Sequence, residues 1–531
     1  MAQTIKLSAN ASSTAGVQQF KPHWNPCVGA GRAGEALRTS WMEQMERVQR
    51  ECGFKTVRFH GLFHDDMFVH RKDKDGKVIY NFQYIDEIFD RLLDMNVRPF
   101  VELGFTPREM ARETDLVFWW KGHAAPPNDV KEWGELIRRF VQHVIDRYGI
   151  DEILNWYFEV WNEPNLWPFF HGTKSEYFDM YRESAEVIKA IDPRLKIGGP
   201  STSNFVPDSR FDGEKEDTSQ HNVVTKAEDL DALDWKPVWL ADFFNYCHKN
   251  NLPVDFITTH PYPTDWAFDE HGTGMKLTRG VDATPKDLAL LRKMVDEGPY
   301  PKAEIHLTEW SSSSSSRDFT HDYLQAATYV TKANIDSIGT VDSLSYWVFT
   351  DIFEESGAGN TAFHGGFGMI NFQGIAKPTF HAYRFLNTLG DELLERTSSG
   401  AITRCSESNK ISAIAYHYPP EITQTIPGSY DSRETADTTL ATGSPAVIEW
   451  HLDGLPANAV LVLEIVDTNN GDAMSAWKRM GLPEPLSREQ TQQLKDASAK
   501  TKLVHYTADE KGDFNLSIEV DPWSVISLRQ L

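Results

Sequence analysis

Short, continuously apolar runs alternate with longer helix-periodic segments along the first 385 residues of the chain. Runs that are apolar on both faces and separated by helices are typical of a parallel sheet covered on both sides. Eight such units over this length predict a (β/α)8 barrel at residues 15–385. The predicted strands are a weak candidate, VQQFKPHW at 17–24, then TVRFH at 56–60, VRPFVELGF at 97–105, WYFEVW at 156–161, LKIGGP at 195–200, VDFITTH at 254–260, EIHLTEW at 304–310 and SLSYWVF at 343–349.

A doubly wound parallel sheet is the competing α/β fold. That fold binds phosphates through a glycine-rich turn after an early strand. No such turn follows any of the early apolar runs of this sequence. The barrel is therefore the preferred prediction.

The pattern changes over residues 386–531, where short alternating or apolar runs are split by turn residues. Such runs indicate an antiparallel β-sandwich domain. A small helical insertion is predicted at about 474–500, where Ser487 and Gln490 form a capping-box pattern. The first 14 residues include TIKLSAN, which is a candidate edge strand for the same sheet.

Charge and hydropathy argue against two classes of partner. The chain has 53 basic and 77 acidic residues and a net charge of −24, which disfavours nucleic acid and anionic membranes. No apolar run reaches 18 residues, and the N-terminus lacks the apolar core of a secretory signal. We predict a cytoplasmic protein, with a periplasmic or secreted one as the alternative if a signal has been removed.

Two carboxylates follow the ends of predicted strands. The fourth run leads into Asn162-Glu163-Pro164, and the seventh ends at Thr308-Glu309-Trp310. In a (β/α)8 barrel the carboxyl ends of the strands meet at one mouth, where the catalytic groups lie. Cleavage of a glycosidic bond needs one group to protonate the leaving oxygen and another to attack the sugar or activate water. Either glutamate alone could be structural, but the two together predict glycosidase chemistry.

Glu159 lies four residues before Glu163, on the same side of the strand but deeper in the barrel. A buried carboxylate needs a partner. The predicted partner is Arg58 on the second strand.

Other strand ends carry polar and aromatic residues suited to sugar recognition. We predict that His60, His260, Glu354 and Glu355 bind hydroxyl groups and that Trp347 forms an apolar wall. The alternatives are satisfied core histidines and an exposed acidic pair. Neither histidine has the spacing of a metal site, and the four cysteines form no CxxC pair, so no metal ligands are predicted.

The sequence resembles glycoside hydrolases of clan A, family 39, whose best-known members are β-xylosidases. The resemblance covers nearly the whole barrel in order, and the sandwich with its AWKRMG insert is similar to the family's second domain. The motifs that carry it are VRFHGLFHDD at 57–66, FEVWNEPNLW at 158–167, THPYP at 259–263, IHLTEW at 305–310, YWVFTDIFEE at 346–355 and FHGGFGMINFQGIAKPTFHAY at 363–383.

The resemblance implies a retaining exo-glycosidase that releases xylose from the non-reducing end of xylo-oligosaccharides and needs no cofactor. Glu309 would be the nucleophile, and Glu163 the general acid and then the general base. Asn162 would hold the 2-hydroxyl of the sugar, and Tyr262 would line the sugar pocket with the residues named above. Family members often form dimers or tetramers, so a homo-oligomer is expected.

Two segments depart from the family pattern. The polar stretch at 203–235, either a partly ordered flap or a mobile insertion, is longer than in compact bacterial xylosidases. WPFF at 167–170 replaces an acidic-aromatic sequence. Both are expected near the leaving group, so the aglycone preference is the property that the resemblance leaves open.

The alternatives within the fold are α-L-iduronidase, α-L-arabinosidase and β-glucosidase activity. A uronate would need a cation in the pocket, and the strand-end residues offer none apart from a protonated histidine. A neutral pentose is therefore favoured. A non-catalytic sugar-binding protein is the alternative from another class, and it would require one of the two glutamates to be missing.

Overall fold

A computed structural model describes residues 3–268, 274–422, 428 and 432–531. Within them, eight parallel strands close into a barrel in which consecutive strands are neighbours, as the sequence predicted. The barrel strands are β1 (Cys27–Arg32), β2 (Thr56–His60), β3 (Arg98–Leu103), β4 (Tyr157–Val160), β5 (Lys196–Ser203), β6 (Phe256–His260), β7 (Glu304–Trp310) and β8 (Ser343–Tyr346).

Each barrel strand is followed by a helix. Gly53 adopts a left-handed conformation, with φ of 74°, and ends the first of these helices. In the described part of the chain, no helix is both long and apolar enough to cross a bilayer. The helices are α1 (Thr39–Cys52), α2 (Gln83–Asp94), α3 (Val130–Tyr148), α4 (Lys174–Ile191), α5 (Leu240–Lys249), α6 (Ala283–Asp296), α7 (Leu324–Asp336) and α8 (Pro378–Leu386).

The first barrel strand differs from the prediction. The predicted run at 17–24 contributes only Gln18–Gln19, which pairs with Glu392–Thr397 in another sheet. The barrel strand is instead CVGAGR, which is poor in the branched and aromatic residues that mark strands. Gly29 is required at its position, because an added Cβ would lie 2.3 Å from the ring of Trp347.

Two sheets form the sandwich predicted after the barrel. One apolar cluster, which includes Leu7, Trp450 and Leu461, joins their facing sides. Gln3–Asn10 runs parallel to Ala446–Asp453 at one edge. The smaller sheet has the order Gln3–Asn10, Ala446–Asp453, Phe514–Val520; the larger has the order Gln18–Gln19, Glu392–Thr397, Gly400–Arg404, Ile411–Tyr416, Val525–Gln530, Val460–Val466, Lys502–Thr507.

The predicted helical insertion consists of Ala473–Arg479 and Arg488–Ala499. Ser487 caps the second helix with the reciprocal hydrogen bonds to Gln490 that the sequence predicted. The ring of Trp477 lies 5.2 Å from that of Phe363 in the loop after β8. The insertion therefore supports a loop of the barrel mouth.

Candidate active site

Glu163 and Glu309 converge at the mouth of the barrel. A carboxylate oxygen of each glutamate and a ring nitrogen of His260 all lie within 4.8 Å of one another. Glu163 has a φ of 46°, a left-handed conformation that costs free energy in a residue other than glycine. Its N–H donates a 2.8 Å hydrogen bond to the carbonyl of Ser201, which helps to hold that backbone.

Arg58 connects the deep part of the site to its mouth. Its guanidinium is fully buried and donates from Nε to Glu159, at 2.8 Å, which confirms the predicted pair. It also donates from Nη1 to Glu309 Oε1, at 2.5 Å, and from Nη2 to Asn162 Oδ1, at 2.9 Å. One arginine on β2 thus fixes residues on both β7 and the turn after β4.

The surroundings of the two acids favour a proton on Glu163. Burial raises the pKa of Glu163 to about 7. Burial also raises the pKa of Glu309, but the positive charges of Arg58 and His60 oppose that rise. Two carboxylates this close cannot comfortably both ionise. Because the guanidinium bonds directly to Glu309, the anion is favoured there and the proton stays on Glu163.

The hydrogen bonds of His260 lead to the same assignment. Glu159 can only accept, so the Thr308 hydroxyl donates to it at 2.7 Å and accepts from His260 Nε2 at 2.9 Å. Burial lowers the pKa of His260 to about 4, so the ring is neutral and its Nδ1 carries a lone pair. Nδ1 lies 2.9 Å from Glu163 Oε1. Nδ1 therefore accepts a hydrogen bond from the protonated carboxyl group of Glu163.

His60 supplies a second positive charge near Glu309. Burial disfavours its imidazolium, but the carboxylate of Glu102, 2.6 Å from Nδ1, outweighs burial and raises the pKa of His60 to about 10. Nε2 lies 3.3 Å from Glu355 and 3.5 Å from Glu309. His60 is thus an imidazolium surrounded by three acids.

Glu163, His260 and Glu309 are also residue types that bind metal ions. Arg58 and the imidazolium of His60 already place positive charge beside Glu309. The three side chains therefore suit an acid–base pair better than a cation site.

A cavity of about 300 Å³ opens in front of the two acids. At its inner end the ring of Trp347 lies 4.9 Å from that of His60, and the Tyr262 hydroxyl donates to Glu309 Oε2 at 3.2 Å. The predicted site residues that line the cavity are His60, Asn162, Glu163, Tyr262, Glu309, Trp347 and Glu355.

His260 and Glu354 do not line this cavity, in contrast to their predicted contact with sugar hydroxyls. His260 is buried beneath Glu163 and holds it. Glu354 points away from its neighbour Glu355 and forms ion pairs with Arg32, at 3.0 Å, and with Arg38. Because the side chains of Glu354 and Glu355 face in different directions, only Glu355 contributes a carboxyl group to the cavity.

The two segments that depart from the family pattern also line the cavity. From the turn after β4 come Leu166, Trp167 and Phe169. From the stretch 203–235 come Ser203, Asn204, Val206, Arg210, Phe211, Glu216 and His221. The sequence places these segments near the leaving group but does not specify which of their residues line the cavity.

Other residues of the site were missed or only half recognised. Arg58 was expected to pair with Glu159 but not to hold Glu309, and no role was predicted for Glu102 or Thr308. Arg58 and Glu102 each stand between two apolar residues of a barrel strand. A buried charge must be paired, so the presence of these two residues in buried strands was enough to predict that they take part in ion pairs inside the barrel.

A (β/α)8 barrel with two glutamates meeting at the ends of β4 and β7 defines the class: the protein is a glycoside hydrolase. The model of glycosyl hydrolases family 39 matches residues 4–515, and the chain belongs to that family. The family resemblance noted in the sequence is thereby confirmed.

Two relatives match nearly the whole chain. The beta-xylosidase of Caldicellulosiruptor saccharolyticus is 35% identical over 528 residues, covering 99% of this chain and 98% of the relative. The beta-xylosidase of Geobacillus stearothermophilus is 34% identical over 527 residues, covering 95% and 91%. Among solved structures, the GH39 enzyme from Xanthomonas axonopodis pv. citri has a TM-score of 0.83 at 30% identity, covering 100% of this chain and 97% of that chain.

Proposed function

We propose that this chain is an exo-acting, retaining β-xylosidase that releases xylose from the non-reducing end of xylo-oligosaccharides. The observation that carries the mechanism is the approach of Glu163 and Glu309 to within 4.8 Å. Retaining glycosidases hold their carboxyl groups about 5–5.5 Å apart, whereas inverting enzymes leave about 6.5–9.5 Å for a water. The sugar assignment is supported by the beta-xylosidases that match the chain end to end.

The nucleophile in this proposal is Glu309. Arg58 holds its Oε1, so Oε2, beside the Tyr262 hydroxyl, is the oxygen that faces the anomeric carbon. Attack by Oε2 forms a glycosyl-enzyme while Glu163 protonates the leaving oxygen. Once Glu309 is esterified its negative charge is gone, so the pKa of Glu163 falls and Glu163 can take a proton from water.

Asn162 is suited to hold the 2-hydroxyl of the sugar. Its Oδ1 already accepts from Arg58 at 2.9 Å. The amide nitrogen is therefore the group left to donate to the sugar. A hydrogen bond to the 2-hydroxyl strengthens in the transition state of such enzymes.

A neutral pentose suits the cavity better than a uronate. Glu355 lines the cavity and would repel a carboxylate. The cations near the described lining already face acids. Arg58 bonds to Glu159 and Glu309, the imidazolium of His60 lies against Glu102 and Glu355, and Arg210 bonds to Asp208 and Asp265. An iduronate would have to compete with these internal ion pairs.

A panel of aryl glycosides, with the product anomer read by NMR, tests the proposal. We expect the β-xyloside to be cleaved fastest and β-xylose to form first. A higher rate on an aryl glucoside or arabinoside would contradict the sugar assignment, and α-xylose as the first product would contradict retention. The homo-oligomer and the cytoplasmic location stay predictions, testable by light scattering and by cell fractionation.

A further inference from the structure

The proposed function fixes which side of the cavity receives the leaving group. Glu163 has to protonate the leaving oxygen, so the leaving group must lie on the Glu163 side of the sugar. The chain directly after Glu163 forms that side, beginning with a 3.0 Å hydrogen bond from Leu166 N–H to the Glu163 carbonyl. Trp167 and Phe169 follow and line the cavity.

The rest of this wall is also largely apolar. Val206 and Phe211 come from the stretch 203–235, and Trp266 comes from the strand Thr264–Phe268 after β6. Trp167 stacks one face on the ring of His171, with centroids 5.1 Å apart. The side chain is still 68% exposed, which leaves surface for a ligand. The wall thus offers aromatic and aliphatic surface from three separate loops.

The polar groups of this wall are engaged with each other or with the backbone. Asn204 donates from Nδ2 to the Thr264 carbonyl at 2.8 Å. Arg210 lies 3.0 Å from both Asp208 and Asp265, and all three are buried to within a few per cent. Glu216 and His221 face each other at 2.5 Å. A ligand rich in hydroxyl groups would have to compete with these bonds, whereas a flat apolar ligand would not.

The wall is held in place before any ligand arrives. Asn165 and Ser203 exchange two hydrogen bonds, of 2.8 and 3.0 Å, between the loop after β4 and the end of β5. The indole N–H of Trp239 donates to the carbonyl of Phe211 at 2.9 Å. Because these loops are tied to each other and to the barrel, the apolar surface is preorganised, which lowers the entropic cost of binding.

We propose that this wall is a leaving-group subsite selective for planar aromatic aglycones, which bind through ring contacts on which the second sugar of xylobiose does not depend. The proposal rests on the proposed function and deepens it. A flat ring would stack on Trp167 and contact Phe211 and Trp266. The aglycone departs as a phenol after Glu163 has protonated its oxygen, while Glu309 takes the xylosyl group.

The test compares three xylosyl donors in the wild type and in Trp167→Ala. The donors are 2-naphthyl β-xyloside, xylobiose and xylosyl fluoride, whose leaving group is too small to reach the wall. We expect Trp167→Ala to lower kcat/KM on the naphthyl xyloside at least tenfold, mainly through KM. We expect changes of less than threefold on xylobiose and on the fluoride.

Trp119→Ala is the matched control. Trp119 is 64% exposed on the loop after β3 but does not line the cavity, so its removal should leave all three rates unchanged. Trp266→Ala is a second variant of the wall and should repeat the pattern of Trp167→Ala. Equal losses on the naphthyl xyloside and xylobiose would make this an ordinary sugar subsite and overturn the proposal, as would no loss on either.

A binding experiment separates this proposal from the proposed function. 2-Naphthol alone should bind the wild type in saturation-transfer NMR and should not bind Trp167→Ala. If the wild type releases no xylose from xylosyl fluoride, the proposed function fails, and the naphthol result still decides the subsite. Absence of naphthol binding to the wild type would overturn the subsite even in an active xylosidase.

Discussion

The two sides of the catalytic cavity are built in different ways. Beside Glu309, charged residues on the barrel strands bond to one another, with Arg58, Glu159 and His60 buried almost completely. Beside Glu163, loops supply an aromatic wall in which Trp167 and Trp266 are more than half exposed. The buried charged network is thus placed on the rigid sheet and the proposed leaving-group surface on the loops, a division that is common in barrels of this type.

The difference should also appear in the response to mutation. A buried ion network is stable only while each charge keeps its partner, so removal of one member leaves another uncompensated. An exposed aromatic wall loses only contact area. Changes on the Glu309 side should therefore damage catalysis for every substrate, and changes on the leaving-group wall should depend on the substrate.

The largest effect is expected for Glu309→Gly. Without a nucleophile the double displacement cannot begin, so kcat should fall on the order of 10⁴-fold or more. The assay is aryl β-xyloside hydrolysis, with circular dichroism as the check on folding. Unchanged hydrolysis by a folded variant would show that Glu309 is not the nucleophile.

Glu163→Ala should have a smaller effect that depends on the leaving group. Loss of a general acid costs about 10²- to 10⁴-fold, and the cost should be greatest for xylobiose and least for dinitrophenyl xyloside, which needs little protonation. Added azide should restore turnover of the activated substrate and yield β-xylosyl azide. Equal losses on both substrates, with no rescue by azide, would argue against the acid–base role.

Glu355→Gln and Glu354→Gln form a matched pair of variants that tests which of the two adjacent glutamates contacts the substrate. Glu355 lines the cavity, and loss of a charged hydrogen-bond acceptor there should lower kcat/KM on xylobiose about tenfold. Glu354→Gln should keep kcat/KM within about twofold but lower the melting temperature by a few degrees, since it weakens the pairs with Arg32 and Arg38. The reverse pattern would indicate that Glu354, and not Glu355, binds the sugar.

The smallest expected effect is a shift in the pH dependence of kcat/KM. Glu163 must be protonated to act as an acid and its pKa is about 7, so kcat/KM should be full below that pH and fall as pH rises through it. Thr308→Val removes the acceptor that keeps the proton of His260 on Nε2. His260 can then donate from Nδ1 to Glu163, which stabilises the carboxylate and lowers its pKa.

The alkaline limb of Thr308→Val should therefore move to lower pH, by about one unit at most. Thr258→Val is the control, because Thr258 is buried on β6 and its hydroxyl has no hydrogen-bond partner among the described residues. A pH profile of kcat/KM for both variants measures the shift. A limb that stays in place in Thr308→Val would contradict the tautomer assigned to His260.

The sequence predicted the part of the site that depends on strand ends. Barrel geometry brings the ends of β4 and β7 together whatever the loops do, so Glu163 and Glu309 could be paired without a structure. The partner of Glu159 followed from the cost of burying a charge. The family motifs added Asn162 and Tyr262, and both line the cavity.

What the sequence could not give depends on side-chain direction and on packing. Glu354 and Glu355 are chemically identical neighbours, and only the loop conformation decides which one meets His60. The first strand could not be recognised from the sequence, because it contains Gly29 where strands usually carry larger residues. The ring of Trp347, over 300 residues away along the chain, leaves no room for a side chain there. The aromatic wall combines three loops whose mutual approach no local pattern specifies.

Trapping the covalent intermediate tests the central claim most directly. Dinitrophenyl 2-deoxy-2-fluoro-β-xyloside should inactivate the enzyme, because the fluorine slows hydrolysis of the glycosyl-enzyme more than an activated leaving group slows its formation. Mass spectrometry of the digested protein should place one fluoroxylosyl group on Glu309. An active enzyme that forms no adduct, or an adduct on another residue, would contradict the account.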